Sequence, residues 1–231
     1  YLEKYVLGYD RLTFHLHYPL CLSASDLPPR FVGLWELPRG HYKTTCLTIG
    51  AGVQSVLRDP NTAVLFMSNV DENAQAKMGE ARSLFLYCDA LLKWFPEHQP
   101  KTAMQRGNSE YWNTPARRTG RAEATYEAAG ADTRKVGKHY DEIDMDDLWD
   151  SKSVTSPGVA QRTLDLLDAA KYLLRGDGPI KVVGTRWSFD DPTEALVKDA
   201  RVQAVIVSAV KRNGRALFPE FKPLPVLYEE W

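Results

Sequence analysis

One stretch constrains the fold of this chain more than any other: Leu37-Pro38-Arg39-Gly40-His41-Tyr42-Lys43-Thr44-Thr45. An apolar run, Phe31 to Leu37, precedes it. A helix-like run from Thr44 to about Arg58 follows. Strand, tight polar loop and helix in that order build a loop that suits a phosphate. Backbone N–H groups converge on the phosphate oxygens, a helix N-terminus points at them, and a Lys and a hydroxyl reach the phosphates and Mg²⁺. Lys43 and Thr44 supply the last two. The match to G-x-x-x-x-G-K-[ST] is partial, because Leu37 holds the first Gly position and Tyr42 the second. A plain helix N-terminus with a solvated Lys fits the same residues, so the loop alone leaves both readings open.

The rest of the chain alternates in the same way. Ala63 to Ser68 is a second short apolar run, and Glu72 to Trp94 carries apolar residues at helical spacing. Gln99 to Gly120 is polar and irregular. Glu123 to Ala129 and Tyr140 to Met145 read as strands. Ser156-Pro157 makes an N-cap and N1 pair for a helix to about Arg175, closed by Gly176. Ile180 to Gly184 and Val202 to Val210 are two further strands. Strands alternating with helices predict an α/β fold with a mostly parallel central sheet and helices on both faces.

Composition narrows the class. A chain of 231 residues that is 44% hydrophobic and 26% charged buries a sizeable core in a single domain. The net charge of −1 gives no global basic field for nucleic acid. Cys21, Cys46 and Cys88 are too few and too scattered for a disulfide framework or a metal knuckle, which fits a reducing cytosol. No apolar run reaches the length of a membrane span.

Two later features share the chemistry of the loop. Between Asp141 and Asp150 lie six acids in ten residues. Tyr140, Ile143 and Met145 form an apolar path that ends at Asp146-Asp147. Ligands of a parallel sheet sit beyond the carboxyl ends of its strands. A carboxylate there can hold Mg²⁺, and its neighbour can orient or deprotonate an attacking water. Further on, Lys181-Val182-Val183-Gly184 ends in Thr185-Arg186, so Thr185 can sense a γ-phosphate from the end of a neighbouring strand. A solvated acidic turn and an ordinary strand end fit each segment by itself. The order of the three is that of a RecA-like ATPase.

At this point the chain resembles a known family, the large subunit of the tailed-phage terminase. Pro38 to Thr45 is similar to its deviant P-loop, His139 to Leu148 to its acidic strand motif, and Val183 to Asp191 to its coupling motif. Phe218-Pro219-Glu220 resembles the end of its ATPase domain. The resemblance implies a RecA-like (ASCE-type) P-loop ATPase that uses ATP and Mg²⁺ to drive double-stranded DNA into a procapsid. Residues 1–30 would then be a lead-in, 31–220 the ATPase core, and 221–231 the start of a linker toward an absent nuclease domain, so that the chain would not cut DNA. It implies a loop of Arg39, Gly40, His41, Tyr42, Lys43, Thr44 and Thr45 around the nucleotide. Lys43 contacts the β- and γ-phosphates, Thr44 and Asp146 hold Mg²⁺, and Asp147 takes the place of the catalytic acid. Arg39 reaches the γ-phosphate, and Thr185 couples hydrolysis to movement. The partners implied are DNA, the capsid portal, the small terminase subunit and further copies of the chain in a ring, in the host cytoplasm and away from membranes.

Two residues depart from the family pattern. Asp144 stands where the acidic strand is usually apolar, and an unpaired Asp in a buried strand is expensive. It needs a cationic partner, a displaced strand, or is an atypical variant. Asp147 is shorter than Glu, so it must approach the water more closely or act through a second water. Eight basic residues between Lys101 and Lys138 face four acids. They read either as a solvated surface or as phosphate contacts. Arg134, shortly before the acidic strand, is the expected trans-acting arginine finger. A helicase-like translocase and a nucleotide-gated ring-assembly module remain rival readings of the same architecture.

Overall fold

The computed structural model of the chain describes residues 2–131, 133, 137–150, 157–188 and 191–229. The apolar stretches become strands: β1 (Val32–Glu36), β2 (Val64–Ser68), β3 (Tyr111–Trp112), β4 (Tyr126–Gly130), β5 (Glu142–Asp146), β6 (Ile180–Gly184) and β7 (Val202–Ile206). They form one sheet in the order β3-β4-β2-β5-β6-β1-β7. Each pairing is parallel except that of β3 with β4. β1, β2, β4, β5 and β6 are buried at every residue. β1 and β2 accordingly read as apolar runs, whereas β5, Glu142-Ile143-Asp144-Met145-Asp146, alternates acidic and apolar residues although both its faces are covered. β7 is an edge strand and is largely exposed.

Helices close both faces. They are α1 (Phe14–Ser25), α2 (Ala51–Arg58), α3 (Asp71–Tyr87), α4 (Asp89–Trp94), α5 (Pro157–Lys171), α6 (Pro192–Leu196) and α7 (Leu224–Glu229). On one face, Leu167 and Ala170 of α5 and Leu196 of α6 cover Leu34, Leu65, Ile143 and Val182. On the other, Val53 of α2, Met78 and Phe85 of α3 and Leu91 of α4 cover Val64, Phe66 and Tyr126. Leu16 and Leu20 of α1 join Trp35, Leu37, Leu47 and Val183 beside the loop. The result is an α/β fold with a seven-stranded, mostly parallel sheet flanked by helices, compatible with a RecA-like arrangement. Among the described residues no helix is long and apolar enough to cross a membrane.

Several expected elements shift, each for a local reason. The helix expected over 72–94 breaks at Cys88, whose backbone is extended and whose thiol donates to the Val6 carbonyl. The helix expected to reach Arg175 stops at Lys171. The backbone of Leu173 and Arg175 instead bonds Tyr140 at 2.7 Å on both sides. Ser156, its expected cap, lies outside the described residues. The strand expected to Val210 ends at Ile206, and the chain then turns into a hairpin bridged at Val210 and Ala216. The polar stretch from 99 to 120 hides β3, whose Trp112 is fully buried. The helix from Thr44 opens with a π-helical turn, Thr45–Gly50, before α2.

Asp144 has the cationic partner that its position demands. Register sets Lys181 of β6 beside it, with Nζ 2.9 Å from Asp144 Oδ1. The same ammonium donates to Glu142, which also accepts from the Ser55 hydroxyl of α2. Burial, with Glu142 nearby, pushes the Asp144 carboxyl well above the usual range despite Lys181. One ammonium thus faces two carboxyl groups in the core, and Asp144 is driven toward its neutral form.

Candidate active site

β1 delivers the loop at its carboxyl end, and two residues there bend it. Gly40 has φ 74° and Tyr42 has φ 54°. The backbone conformation at Gly40 favours glycine, and the end of the Lys222 side chain lies close over it. Tyr42 occupies the position that the standard pattern gives to Gly, and it adopts the conformation that favours Gly. This costs about 1–2 kcal/mol. Its ring leaves the loop and packs against Phe221 at 5.6 Å, His17 at 6.2 Å and Phe218 at 6.3 Å. His17 Nε2 lies 3.2 Å from the His41 carbonyl, and His41 Nδ1 lies 2.9 Å from the Arg39 carbonyl. Burial holds both imidazoles below their ordinary pKa, so they brace the loop as neutral rings.

Lys43 points inward and is nearly buried. Its Nζ donates to Thr185 Oγ1 at 2.8 Å. Topology explains the meeting: β6 lies between β1 and β5, so the residue after β6 stands between the loop and the acids. Burial lowers the Lys43 pKa, while Asp147 and then Asp146 raise it.

Asp146 is fully buried, and neither of its carboxylate oxygens accepts a well-aligned hydrogen bond. Burial pushes its carboxyl up to about 6, and Asp147 adds to the rise. Lys77, the nearby Thr44 hydroxyl and Lys43 oppose it. Such an orphaned carboxylate beside a Thr hydroxyl is a hard-oxygen donor set of the kind Mg²⁺ takes. Thr44 and Asp146 therefore fit the metal that the sequence assigns them.

Asp147 is half-buried and has φ 52°. Its N–H donates to the Val183 carbonyl at 2.9 Å, and its carbonyl accepts from Asn69 N–H at 3.4 Å. The Ser68 hydroxyl donates to the Asp146 carbonyl at 2.7 Å. β2 and β6 thus hold the acid pair by its backbone and turn the Asp147 side chain out of strand alternation. A non-glycine residue at positive φ carries backbone strain, here at the carboxyl end of β5.

Lys43, Thr44, Asp146, Asp147 and Thr185 come together at the carboxyl ends of the strands. Thr45 starts the π-helical turn beside them. Arg39 is at the loop but exposed, its guanidinium stacked 4.3 Å over the Trp187 ring. Arg134 lies outside the described residues, as do Phe189 and Asp190 of the coupling segment. Part of the basic stretch is structural. Arg117 donates to the carbonyls of Thr62 and Glu123, Arg121 pairs with Asp141 at 2.6 Å, and Lys138 pairs with Glu127 at 2.7 Å.

Two site residues escaped the sequence. Lys77 of α3 sets its ammonium 3.9 Å from Asp146 Oδ2 and 3.4 Å from the Asp146 carbonyl. Nothing in an ordinary helical stretch marks it. Glu36 ends β1 and accepts from the Thr193 hydroxyl with one oxygen, while the other has no partner. Burial raises its pKa. It helps line a cavity of about 640 Å³ beside the loop, together with Arg39, Thr185, Arg186 and Lys222. No protein-family model matches this chain, and no curated protein matches it.

Proposed function

We propose that this chain is an Mg-dependent ATPase and the motor domain of a terminase-like large subunit, driving double-stranded DNA into a procapsid. The observation that carries the ATPase reading is the convergence of Lys43, Thr44, Asp146, Asp147 and Thr185, drawn from three separate segments, at the carboxyl edge of a parallel sheet. Lys43 binds the phosphates and passes their state to Thr185 through the bond the two already share. Thr44 and Asp146 would hold Mg²⁺, which when bound would supply positive charge against the phosphate oxygens. Asp147 orients the attacking water. Double-stranded DNA, the capsid portal, the small terminase subunit, ring formation and a place in the host cytoplasm rest on the resemblance of the three motifs.

The test is thermal unfolding with and without Mg-ATP, alongside phosphate release by the chain at ring-forming concentrations. Binding to the folded state raises Tm by mass action. Asp146→Asn is expected to raise the Tm of the nucleotide-free chain, because it removes a buried charge that Lys77 and Lys43 offset only in part, at a cost of about 1–3 kcal/mol. The same variant should lose the Mg-ATP shift. A structural acid would show the opposite pair, a lowered Tm and an intact shift.

Asp147→Asn separates binding from chemistry. A water-orienting carboxylate acts mainly in the transition state. The variant should keep the full Mg-ATP shift while phosphate release falls by about 10²–10⁴-fold. Normal release in Asp147→Asn would assign the water to another acid.

A further inference from the structure

Two cysteines outside the proposed chemistry lie against each other. Cys21 is on α1, and Cys46 is in the π-helical turn that begins at Thr45. α1 packs directly against that turn, and both cysteines belong to one apolar cluster. Cys46 is buried in the cluster of Leu16, Leu20, Trp35 and Leu47, and Cys21 packs against that cluster. Both sulfurs' residues line one cavity of about 240 Å³, walled also by Glu3, Ser55, Glu142 and Lys181. Cys21 is only half-buried, so the cavity has a wall that a small oxidant can reach. Cys88 is engaged elsewhere, with the Val6 carbonyl.

We propose that Cys21 and Cys46 are a peroxide-oxidisable dithiol that closes to a disulfide, tying α1 to the first turn after the phosphate loop. The proposal does not depend on the nucleotide reading. The reaction balances with hydrogen peroxide as oxidant. The Cys21 thiolate attacks a peroxide oxygen, the O–O bond breaks, and the departing hydroxide leaves as water after taking a proton. Cys21 is then a sulfenic acid. The Cys46 sulfur attacks the Cys21 sulfur, the S–O bond breaks, and the hydroxide takes the Cys46 proton to leave as a second water. Two thiols lose two electrons and two protons, and one peroxide becomes two waters. Cys21 reacts first because it is half-buried while Cys46 is buried. Cys46 beside it also lowers the Cys21 pKa, against the effect of burial.

The experiment uses the full chain carrying Cys88→Ser, so that only the two thiols of interest remain. It is treated with hydrogen peroxide and read by intact mass and non-reduced peptide mapping. The expected result is a loss of two hydrogens and a cross-linked pair of peptides containing Cys21 and Cys46, both reversed by dithiothreitol. Cys46→Ser should leave Cys21 as a sulfenic acid that dimedone captures. Cys21→Ser should slow oxidation of the buried Cys46 by at least about tenfold. Circular dichroism checks that each variant folds, with Cys46→Ala replacing Cys46→Ser should the latter unfold. Oxygen added to either sulfur without a cross-link, a cross-link only between chains, or two free thiols after treatment would each overturn the proposal.

Discussion

Lys43→Ala is expected to lower ATP turnover by at least about 10²–10³-fold and to abolish the Mg-ATP thermal shift. The size follows from where the ammonium stands. It is nearly buried, bonded to Thr185 at 2.8 Å, and lies in the field of Asp146 and Asp147. A charge in so dry a place acts on phosphate oxygens with little screening. Its removal leaves the acid pair without its nearest loop cation and Thr185 without a donor. Lys43→Arg should fail too, because a planar fork does not fit a slot built around a compact ammonium. Phosphate release and thermal shift, measured together, check both claims. Turnover that survives in Lys43→Ala would sink the phosphate-loop assignment.

The second large effect concerns stability rather than chemistry. Lys181→Met is expected to destabilise the chain by about 3–5 kcal/mol, because it strands Glu142 and Asp144 in the core. For a domain of this size that amounts to a fall in Tm of roughly 10 °C. Asp144→Asn should cost far less. Burial already drives that carboxyl toward its neutral form, and an amide has nearly the same shape. The double variant Lys181→Met with Asp144→Asn should regain part of the loss, since the two sites are in contact and do not add. Thermal denaturation of the three variants decides the matter. A Lys181→Met chain as stable as its parent would show that the trio is not one charge-balanced unit.

Much of this was legible in the residues. β1, β2 and β6 are buried on both faces and stand out as apolar runs with turn signals at their ends. Lys43-Thr44 and Thr185 follow such runs and Asp146-Asp147 closes β5, whose apolar residues Ile143 and Met145 alternate with acids; strand ends are where a parallel sheet presents ligands. What stayed hidden depends on neighbours distant in sequence. Asp144 looked out of place until strand order set Lys181 beside it, and strand order is not written in any local pattern. Lys77 meets Asp146 because α3 crosses β2. α1 carries Pro19 and no clear apolar face, so residues 14–25 gave little helical signal although they cover the loop. Tyr42 read as a defect in the loop. Its backbone takes the conformation that glycine would, and its ring finds packing outside the site.

That ring has a mechanical meaning. The loop from Pro38 to Thr44 hangs from β1 at one end, but its outer side is fastened to Phe218–Lys222. Tyr42 and His41 pack against Phe218, Arg11 lies 4.4 Å over Phe221, and Lys222 rests on Gly40. This segment leads directly into α7. Tension along the chain at α7 therefore reaches the loop across a single layer of aromatic rings, without passing through the sheet. The lever runs in both directions. A shift of the loop of a few tenths of an ångström would swing the root of α7, and load borne on α7 would reshape the loop.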